Sequence, residues 1–252
     1  MKLSIATCLL AFVFFGFIVR RHDINDEEYL KLAKKFENHV CNLNLPDGNA
    51  TFLSREWLIT AAHVAVDIET KLKNGEQHLI NFMGKKYRVD NVVLHKEWKK
   101  NKRHDIALVH LSETVENAQP IELYRKKDEM GKLVFIIGNA AIGNGKDGLL
   151  PKTDWKYRAA TNRIDEVNDY FVKFVFDNPD SSSGNLTEME GVSGSGDSGG
   201  PAFVLQDDKL YLIGVGSTQS TKNTNGIEGV YGVVEQFMRV SNYCDWVKMN
   251  MR

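Results

Sequence analysis

The sequence predicts an all-β fold, a barrel or a sandwich, with a helix at its C-terminal end. Many short runs rich in Val, Ile, Leu, Phe and Tyr follow one another, separated by Gly, Asn, Asp and Lys. The chain of 252 residues is 42% hydrophobic and 26% charged, which suits one globular unit or two similar halves around an ample core. The last segment, residues 234–251, changes to a helical spacing of apolar residues.

Two segments at the ends of the strand-rich region have helical patterns. Residues 23–37 carry an apolar stripe behind an acidic start, with Asp26 as the expected N-cap. Residues 234–251 carry apolar positions such as Phe237 and Trp246 at spacings that suit a closing helix. The sequence therefore predicts one short helix before the strands and one after them.

The strand-like runs begin after Cys41 and continue through most of the chain. The clearest of them are residues 57–60, 78–82, 87–89, 106–109, 133–137, 170–176 and 210–213. Residues 177–184 are the most loop-like stretch, and we find neither an internal repeat nor a long low-complexity linker.

The N-terminal segment has the pattern of a secretory signal peptide. Lys2 precedes an apolar stretch over residues 3–19, and Arg20 and Arg21 follow it. The stretch is shorter than the roughly 20 residues that a transmembrane helix needs. The prediction is a signal peptide over residues 1–17, or up to residue 19, and a secreted protein. The alternative is an uncleaved membrane anchor, the only case in which a membrane would be a partner.

Composition excludes several other classes of function. The net charge of -1 gives no electrostatic reason to expect nucleic acid or an anionic membrane as a partner. The seven histidines show no clustering typical of metal ligands, and the zinc motif His-Glu-x-x-His does not occur. We therefore expect neither a metal nor another cofactor.

The cysteines and sequons bear on the compartment. Cys8 would be lost with the signal peptide, which leaves Cys41 and Cys244 as an even pair for an oxidising compartment. One disulfide between them is the hypothesis, and two free thiols are the alternative. Asn49 and Asn185 begin glycosylation sequons, which have meaning only where the host glycosylates.

Three separate blocks carry residues for nucleophilic catalysis. A serine hydroxyl needs an adjacent base, a group that orients that base, and donors aimed at the oxyanion that forms during attack. Ser198 lies in the glycine-rich block of residues 196–201, His63 ends a strand-like run, and Asp105 begins another. Each block alone is a weak signal. Together, tens of residues apart, they predict a site that only the folded chain assembles.

These blocks resemble the three signature blocks of chymotrypsin-like serine proteases, in that family's chain order. They are Trp57-Leu58-Ile59-Thr60-Ala61-Ala62-His63, Asp105-Ile106-Ala107-Leu108 and Gly196-Asp197-Ser198-Gly199-Gly200-Pro201. The resemblance implies a protease domain over residues 18–252, built of two packed six-stranded antiparallel barrels. The barrels are expected at about 38–125 and 126–234, followed by a C-terminal helix at about 235–251.

The resemblance also implies the roles of the site residues. His63 is the general base, Asp105 orients it, Ser198 attacks, and the amides of Gly196 and Ser198 form the oxyanion hole. The implied activity is that of a secreted serine endopeptidase that works through an acyl-enzyme. Its partners would be a protein or peptide substrate and, as a further possibility, a protein inhibitor, and we expect a monomer. The alternative is a catalytically silent relative that serves as a binding module.

The resemblance implies that the residue six positions before the nucleophile, here Val192, forms the floor of the primary specificity pocket. Valine cannot hold a cationic side chain, so the prediction is a preference for apolar residues before the scissile bond. Glu190 or Glu228 would overturn this prediction if either carboxylate pointed into the pocket. The residues that the resemblance places in the pocket are Val192, Ser193, Ser217, Gln219 and Gly229, and Ser217 also backs the aspartate.

Two features depart from the family pattern. The cysteine that usually follows the catalytic histidine is Val64 here, so at most one disulfide is expected. The family's usual activating Ile-Val-Gly-Gly is absent, but Ile18-Val19 lies 45 residues before His63. One hypothesis is that cleavage frees the Ile18 amino group to pair with Asp197. The alternative is that Ile18 is simply the end of the signal's apolar core.

Overall fold

A computed structural model describes residues 18–45, 48–139, 142–150, 154–181 and 185–251. The predicted signal peptide, residues 1–17, lies outside the described residues. The helices are α1 Asp26–Ala33, α2 Ala62–Lys73, α3 Trp98–Asn101 and α4 Cys244–Asn250. The strands are β1 Val19–Arg20, β2 Val40–Asn42, β3 Asn49–Phe52, β4 Trp57–Thr60, β5 His78–Phe82, β6 Lys85–Leu94, β7 Ala107–Leu111, β8 Glu122–Leu123, β9 Leu133–Gly138, β10 Gly143–Asn144, β11 Gly148–Leu149, β12 Arg158–Arg163, β13 Glu166–Val167, β14 Phe171–Val175, β15 Gly191–Val192, β16 Pro201–Gln206, β17 Lys209–Ser220 and β18 Val234–Arg239.

The N-terminal unit is a closed barrel with the strand order β2-β3-β4-β7-β6-β5. Alternation along its strands sends apolar side chains inward, as in β5, where Ile80 and Phe82 are buried while Leu79 and Asn81 are exposed. These inward side chains join Phe52 and others in one core cluster, which occupies the interior of the barrel.

The C-terminal unit is a curled half-barrel sheet with the order β12-β9-β16-β17-β18-β14-β13, and β8 pairs with β17 beside it. Asn162 of β12 donates from Nδ2 to the Val175 oxygen of β14 at 2.9 Å, which brings the ends of the curl together. The predicted all-β class with a C-terminal helix is confirmed. The difference is that this second unit curls without the continuous ladder of a closed barrel among the described strands.

The two units pack through a shared apolar cluster. Ile59 and Leu108 of the barrel meet Phe203 and Val215 of the curled sheet there, and α4 adds Val247. Because all five side chains are nearly inaccessible to solvent, the joint between the units is as well buried as either core. The loops at one edge of this joint carry the candidate site.

Both predicted helices are shorter in the structure. Asn25, not Asp26, is the N-cap of α1, because its side chain accepts a hydrogen bond from the Glu27 amide at 3.2 Å. Residues 234–239 form strand β18 between β17 and β14, so the predicted start of the C-terminal helix is wrong and the helix is confined to Cys244–Asn250. No helix in the described ranges is long and apolar enough to cross a membrane.

The predicted disulfide is not present, because Cys41 and Cys244 are both free and buried. Cys41 pairs with Ala50 in the barrel sheet and belongs to the barrel core. Cys244 begins α4, where its Sγ lies 3.5 Å from the Val240 oxygen. The two thiols are therefore enclosed in separate packing environments, and burial raises the pKa of each.

Candidate active site

His63 and Asp105 are brought together by the pairing of β4 with β7. The antiparallel register places Thr60, the last residue of β4, opposite Ala107, the first of β7. His63, shortly after the end of β4, and Asp105, shortly before the start of β7, must therefore lie at the same edge of the sheet. His63 Nδ1 lies 2.7 Å from Asp105 Oδ2.

The Asp105 carboxylate is buried and fully engaged. It is 4% exposed, and it accepts hydrogen bonds from the His63 amide at 2.8 Å and from Ser217 Oγ at 2.7 Å. The His63 amide lies in the first turn of α2, where backbone N–H groups have no intrahelical acceptor. The carboxylate thus satisfies the helix N-terminus, whose dipole favours negative charge. With Nδ1 donating to this carboxylate, His63 Nε2 carries the lone pair.

Ser198 lies in a tight loop that touches the barrel. Gly199 has φ +77°, and a Cβ on it would lie 2.0 Å from Thr60 Oγ1, so this position requires glycine for both its conformation and its close approach. The backbone amide of Asn49 donates to the backbone carbonyl oxygen of Ser198 at 2.9 Å. The loop of the C-terminal unit is thereby held against the N-terminal barrel.

Asn49 reinforces the same joint from the barrel side. Its carbonyl accepts from Thr60 Oγ1 at 2.6 Å, and its Nδ2 donates to the Gly196 oxygen at 3.3 Å. The residue is 1% exposed, so the sequon that it begins is enclosed in the folded protein. The other sequon residue, Asn185, is exposed and donates to Asp165. The sequence gives no signal for this role of Asn49, because nothing local indicates burial.

His63, Gly196, Ser198 and Ser217 line one cleft with a volume of about 270 Å³. Among the described residues, the amides of Gly196 and Ser198 donate to no protein acceptor. Two such amides in one loop are the donors that an oxyanion requires. The structure therefore brings the predicted base, nucleophile and oxyanion donors to the same cleft.

The predicted pocket residues divide into two groups. Ser193, Ser217 and Gln219 line the cleft, whereas Val192 and Gly229 do not. Val192 is 0% exposed because it pairs with Val19 in the sheet and packs in an apolar cluster. Gly229 instead donates its amide to Gln219 Oε1 at 3.1 Å. The predicted apolar preference therefore lacks its structural basis, since the Val192 side chain is covered.

Glu235 is the residue of the cleft that the sequence analysis missed. It lies on β18, is 2% exposed and lines the cleft. Ser193 Oγ donates to its Oε2 at 2.7 Å and Gln219 Nε2 to its Oε1 at 2.6 Å. Burial raises the pKa of this carboxyl to about 8. A strand pattern over 234–239 would have placed it on the buried face with Phe237, but the predicted helix concealed that alternation.

The two glutamates considered from the sequence lie in different places. Glu228 lines the cleft, where it accepts a hydrogen bond from Ser195 Oγ at 2.5 Å. Glu190 is fully buried outside the cleft and accepts from the Thr187 amide at 2.8 Å. Burial raises the pKa of Glu190 to about 7. Only Glu228 of the two can therefore face a substrate.

Ile18 and Asp197 are both buried. Ile18 is 1% exposed and packs in a cluster with Ile136. A Cβ on Gly138 would lie 2.0 Å from Asp197 Oδ1, so the buried Asp197 carboxylate rests directly on the end of β9. Val19 of β1 pairs with Gly143 of β10 on one side and with Val192 of β15 on the other. These two pairings fix the start of the described chain in the sheet.

Two β units with His63, Asp105 and Ser198 at their joint define the class of chymotrypsin-like serine proteases. The family model for trypsin matches residues 33–247, and the chain belongs to this family. Among solved structures, it is similar to neuropsin, a serine protease expressed in the limbic system of mouse brain. That match has a TM-score of 0.62 and 17% identity, and it covers 92% of this chain and 99% of neuropsin. At this identity the likeness concerns the fold.

Proposed function

We propose that the chain is a secreted serine endopeptidase that cleaves peptide bonds through Ser198, His63 and Asp105. The observation that carries the proposal is the 2.7 Å contact between His63 Nδ1 and Asp105 Oδ2, in a cleft that Ser198 also lines. A buried carboxylate that fixes one imidazole nitrogen leaves the other as a base, which a serine nucleophile needs.

In this proposal Ser198 Oγ attacks the scissile carbonyl carbon, and its proton passes to His63 Nε2. The amides of Gly196 and Ser198 stabilise the resulting oxyanion. The carbon–nitrogen bond then breaks, the leaving amine takes the proton from His63, and an acyl-enzyme remains. A water molecule gives its proton to His63 and attacks the ester, which releases the acid product and restores the Ser198 hydroxyl.

Labelling with a fluorophosphonate probe tests the nucleophile. We expect Ser198 Oγ to attack the phosphorus of the probe and displace its fluoride, because His63 activates only that hydroxyl. The mature protein should then carry a phosphonate ester on Ser198. Peptide mapping by mass spectrometry locates the label, and Ser198→Ala is the matched control that should not react. A folded mature protein that stays unlabelled would contradict the proposal and favour the binding-module alternative.

We further propose that removal of residues 1–17 activates the enzyme by freeing the Ile18 amino group to pair with Asp197. The burial of Ile18 in a cluster with Ile136 of β9 and the packing of the Asp197 carboxylate against Gly138 at the end of β9 support this step. An ammonium beside a buried carboxylate would fix the loop that carries the oxyanion amides, and losing either partner leaves an uncompensated charge.

Chains that begin at different residues test the activation step. We expect a chain that begins at Ile18 to hydrolyse peptide substrates at least about 100-fold faster than one that still carries residues 1–17. Asp197→Asn in the chain that begins at Ile18 should remove this gain. N-terminal sequencing of the secreted protein provides the check in cells, and full activity from a start well past Val19 would refute the step.

A further inference from the structure

We propose that Glu235 sets the substrate preference of the cleft, which takes the cationic side chain of a Lys or Arg residue before the scissile bond. This inference rests on the proposed function, because it names the substrate class of the same site. It reverses the apolar preference that the sequence predicts from Val192.

The lining of the cleft is polar and acidic. Its charged members among the described residues are the carboxylates of Glu228 and Glu235, and neither Lys nor Arg contributes to it. The volume of about 270 Å³ is far larger than a single water molecule needs, which leaves space for a side chain. A cation entering this space meets two acidic groups and, in the described part of the chain, no Lys or Arg side chain.

Glu235 is held as a preformed acceptor. Ser193 and Gln219 donate to its two oxygens. The Gln219 side chain is itself fixed, because its Oε1 accepts from the Gly229 amide at 3.1 Å and its Nε2 also donates to the backbone carbonyl oxygen of Ser193 at 3.1 Å. A carboxylate that accepts from fixed donors keeps its position when a ligand enters, so little ordering cost remains for a substrate.

Glu235 lacks the cation that a buried carboxylate usually has. Within the described ranges, no Lys, Arg or His forms an ion pair with it. Glu129 is as deeply buried at 1% exposed, but Arg239 binds both of its oxygens at 2.8 Å. A buried carboxylate without such a partner is costly, and a substrate ammonium or guanidinium would supply the missing charge.

The remaining buried glutamate gives a useful contrast. No cationic side chain of the described residues pairs with Glu190 either, but backbone amides of Thr187 and Asp177 donate to it. It lies outside the cleft, so no substrate reaches it. Of the three buried glutamates in the described ranges, Glu235 is the one that combines burial, fixed donors and access to the space beside Ser198.

The preference should depend on pH. Burial, together with the charges of Asp197 and Glu228, raises the pKa of Glu235 to about 8. Below that pH the carboxyl is largely neutral, and above it the carboxylate attracts a cation more strongly. His63 also lines the cleft, so the informative quantity is the ratio of rates for two substrates, in which its effect on catalysis cancels.

Matched peptides that differ only in the residue before the scissile bond test the proposal. We expect kcat/KM for Lys to exceed that for the uncharged isostere norleucine, with a ratio that rises between about pH 6 and pH 9. Glu235→Gln should lower the ratio at least about tenfold at high pH and flatten its pH profile, because the amide keeps the size but loses the charge. Glu228→Gln is the matched control at the exposed edge of the cleft and should have a smaller effect.

A binding measurement separates this inference from the proposed function. Calorimetry on Ser198→Ala should give tighter binding of benzamidine than of the neutral, size-matched benzamide, and Glu235→Gln in that background should remove most of the difference. If Glu235 governs benzamidine binding but no peptide is cleaved, the proposed function fails and the cation site stands. If norleucine peptides are cleaved best, or the Glu235→Gln ratio equals that of the unchanged protein, the inference is overturned and the protease remains.

Discussion

Replacing Asp105 by Asn is expected to lower kcat about 10⁴-fold. The Asp105 carboxylate accepts three hydrogen bonds, two of them from His63 and one from Ser217. An amide whose oxygen keeps accepting from the His63 backbone at the Oδ1 position places its NH₂ group at the Oδ2 position, where it donates to His63 Nδ1 and to Ser217 Oγ. Nδ1 then accepts, Nε2 carries the proton, and the imidazole can no longer take the proton of Ser198.

Steady-state hydrolysis of a peptide substrate by folded Asp105→Asn measures this effect. Ser217→Ala is the matched control, since it removes one donor to the carboxylate while leaving its charge and its bonds to His63, and we expect a loss of only about tenfold. Thermal unfolding must accompany both variants, because Asp105 also satisfies the N-terminus of α2. Activity of Asp105→Asn within tenfold of the unchanged enzyme would remove Asp105 from the mechanism.

Gly199→Ala is expected to give the largest loss of stability, about 4 kcal/mol. A left-handed backbone costs a non-glycine residue about 1–2 kcal/mol, and crowding a packed joint adds about 1–3 kcal/mol. Here the new methyl group would lie 2.0 Å from Thr60 Oγ1 and 2.5 Å from the Asn49 oxygen. The clash lies on backbone and on a buried side chain, so the loop must move away from the barrel.

Chemical denaturation of Gly199→Ala and Gly84→Ala separates the two costs. Gly84 has almost the same φ, +80°, but a Cβ there meets nothing within 4 Å. Gly84→Ala should therefore lose only the conformational part, about 1–2 kcal/mol, and keep full activity. Equal losses for the two variants would show that the contact between the loop and the barrel contributes nothing.

The all-β class could be predicted from the sequence, and of the three residues assigned to catalysis His63 and Ser198 line one cleft while the buried Asp105 is hydrogen-bonded to His63 behind it. His63, Asp105 and Ser198 each lie at a strand end or in a glycine-rich turn, and such positions carry local signatures. The cleft wall was predicted less well, because it depends on which face of a strand turns inward. The apolar residues of 234–239 fit both a helix and a strand, and only pairing with β14 and β17 decides for the strand.

Val192 illustrates why position in a motif does not settle a pocket. Its place six residues before Ser198 suggested that its side chain would face a substrate. In the structure it is covered through its pairing with Val19, a residue more than a hundred positions away in the chain. Long-range pairing of this kind leaves no local pattern, so the covering of Val192 could not be read from the sequence.

Asn49 has a consequence for the order of events during synthesis. Its side chain is enclosed between the barrel and the Ser198 loop, yet it begins an intact sequon. An oligosaccharide attached to Asn49 of the unfolded chain would occupy the space where the two units meet. The loop that carries Ser198 could then not pack against the barrel. In a host that glycosylates, a sugar attached to Asn49 before folding would therefore keep the two units apart, and we expect the folded protein to carry none at this residue.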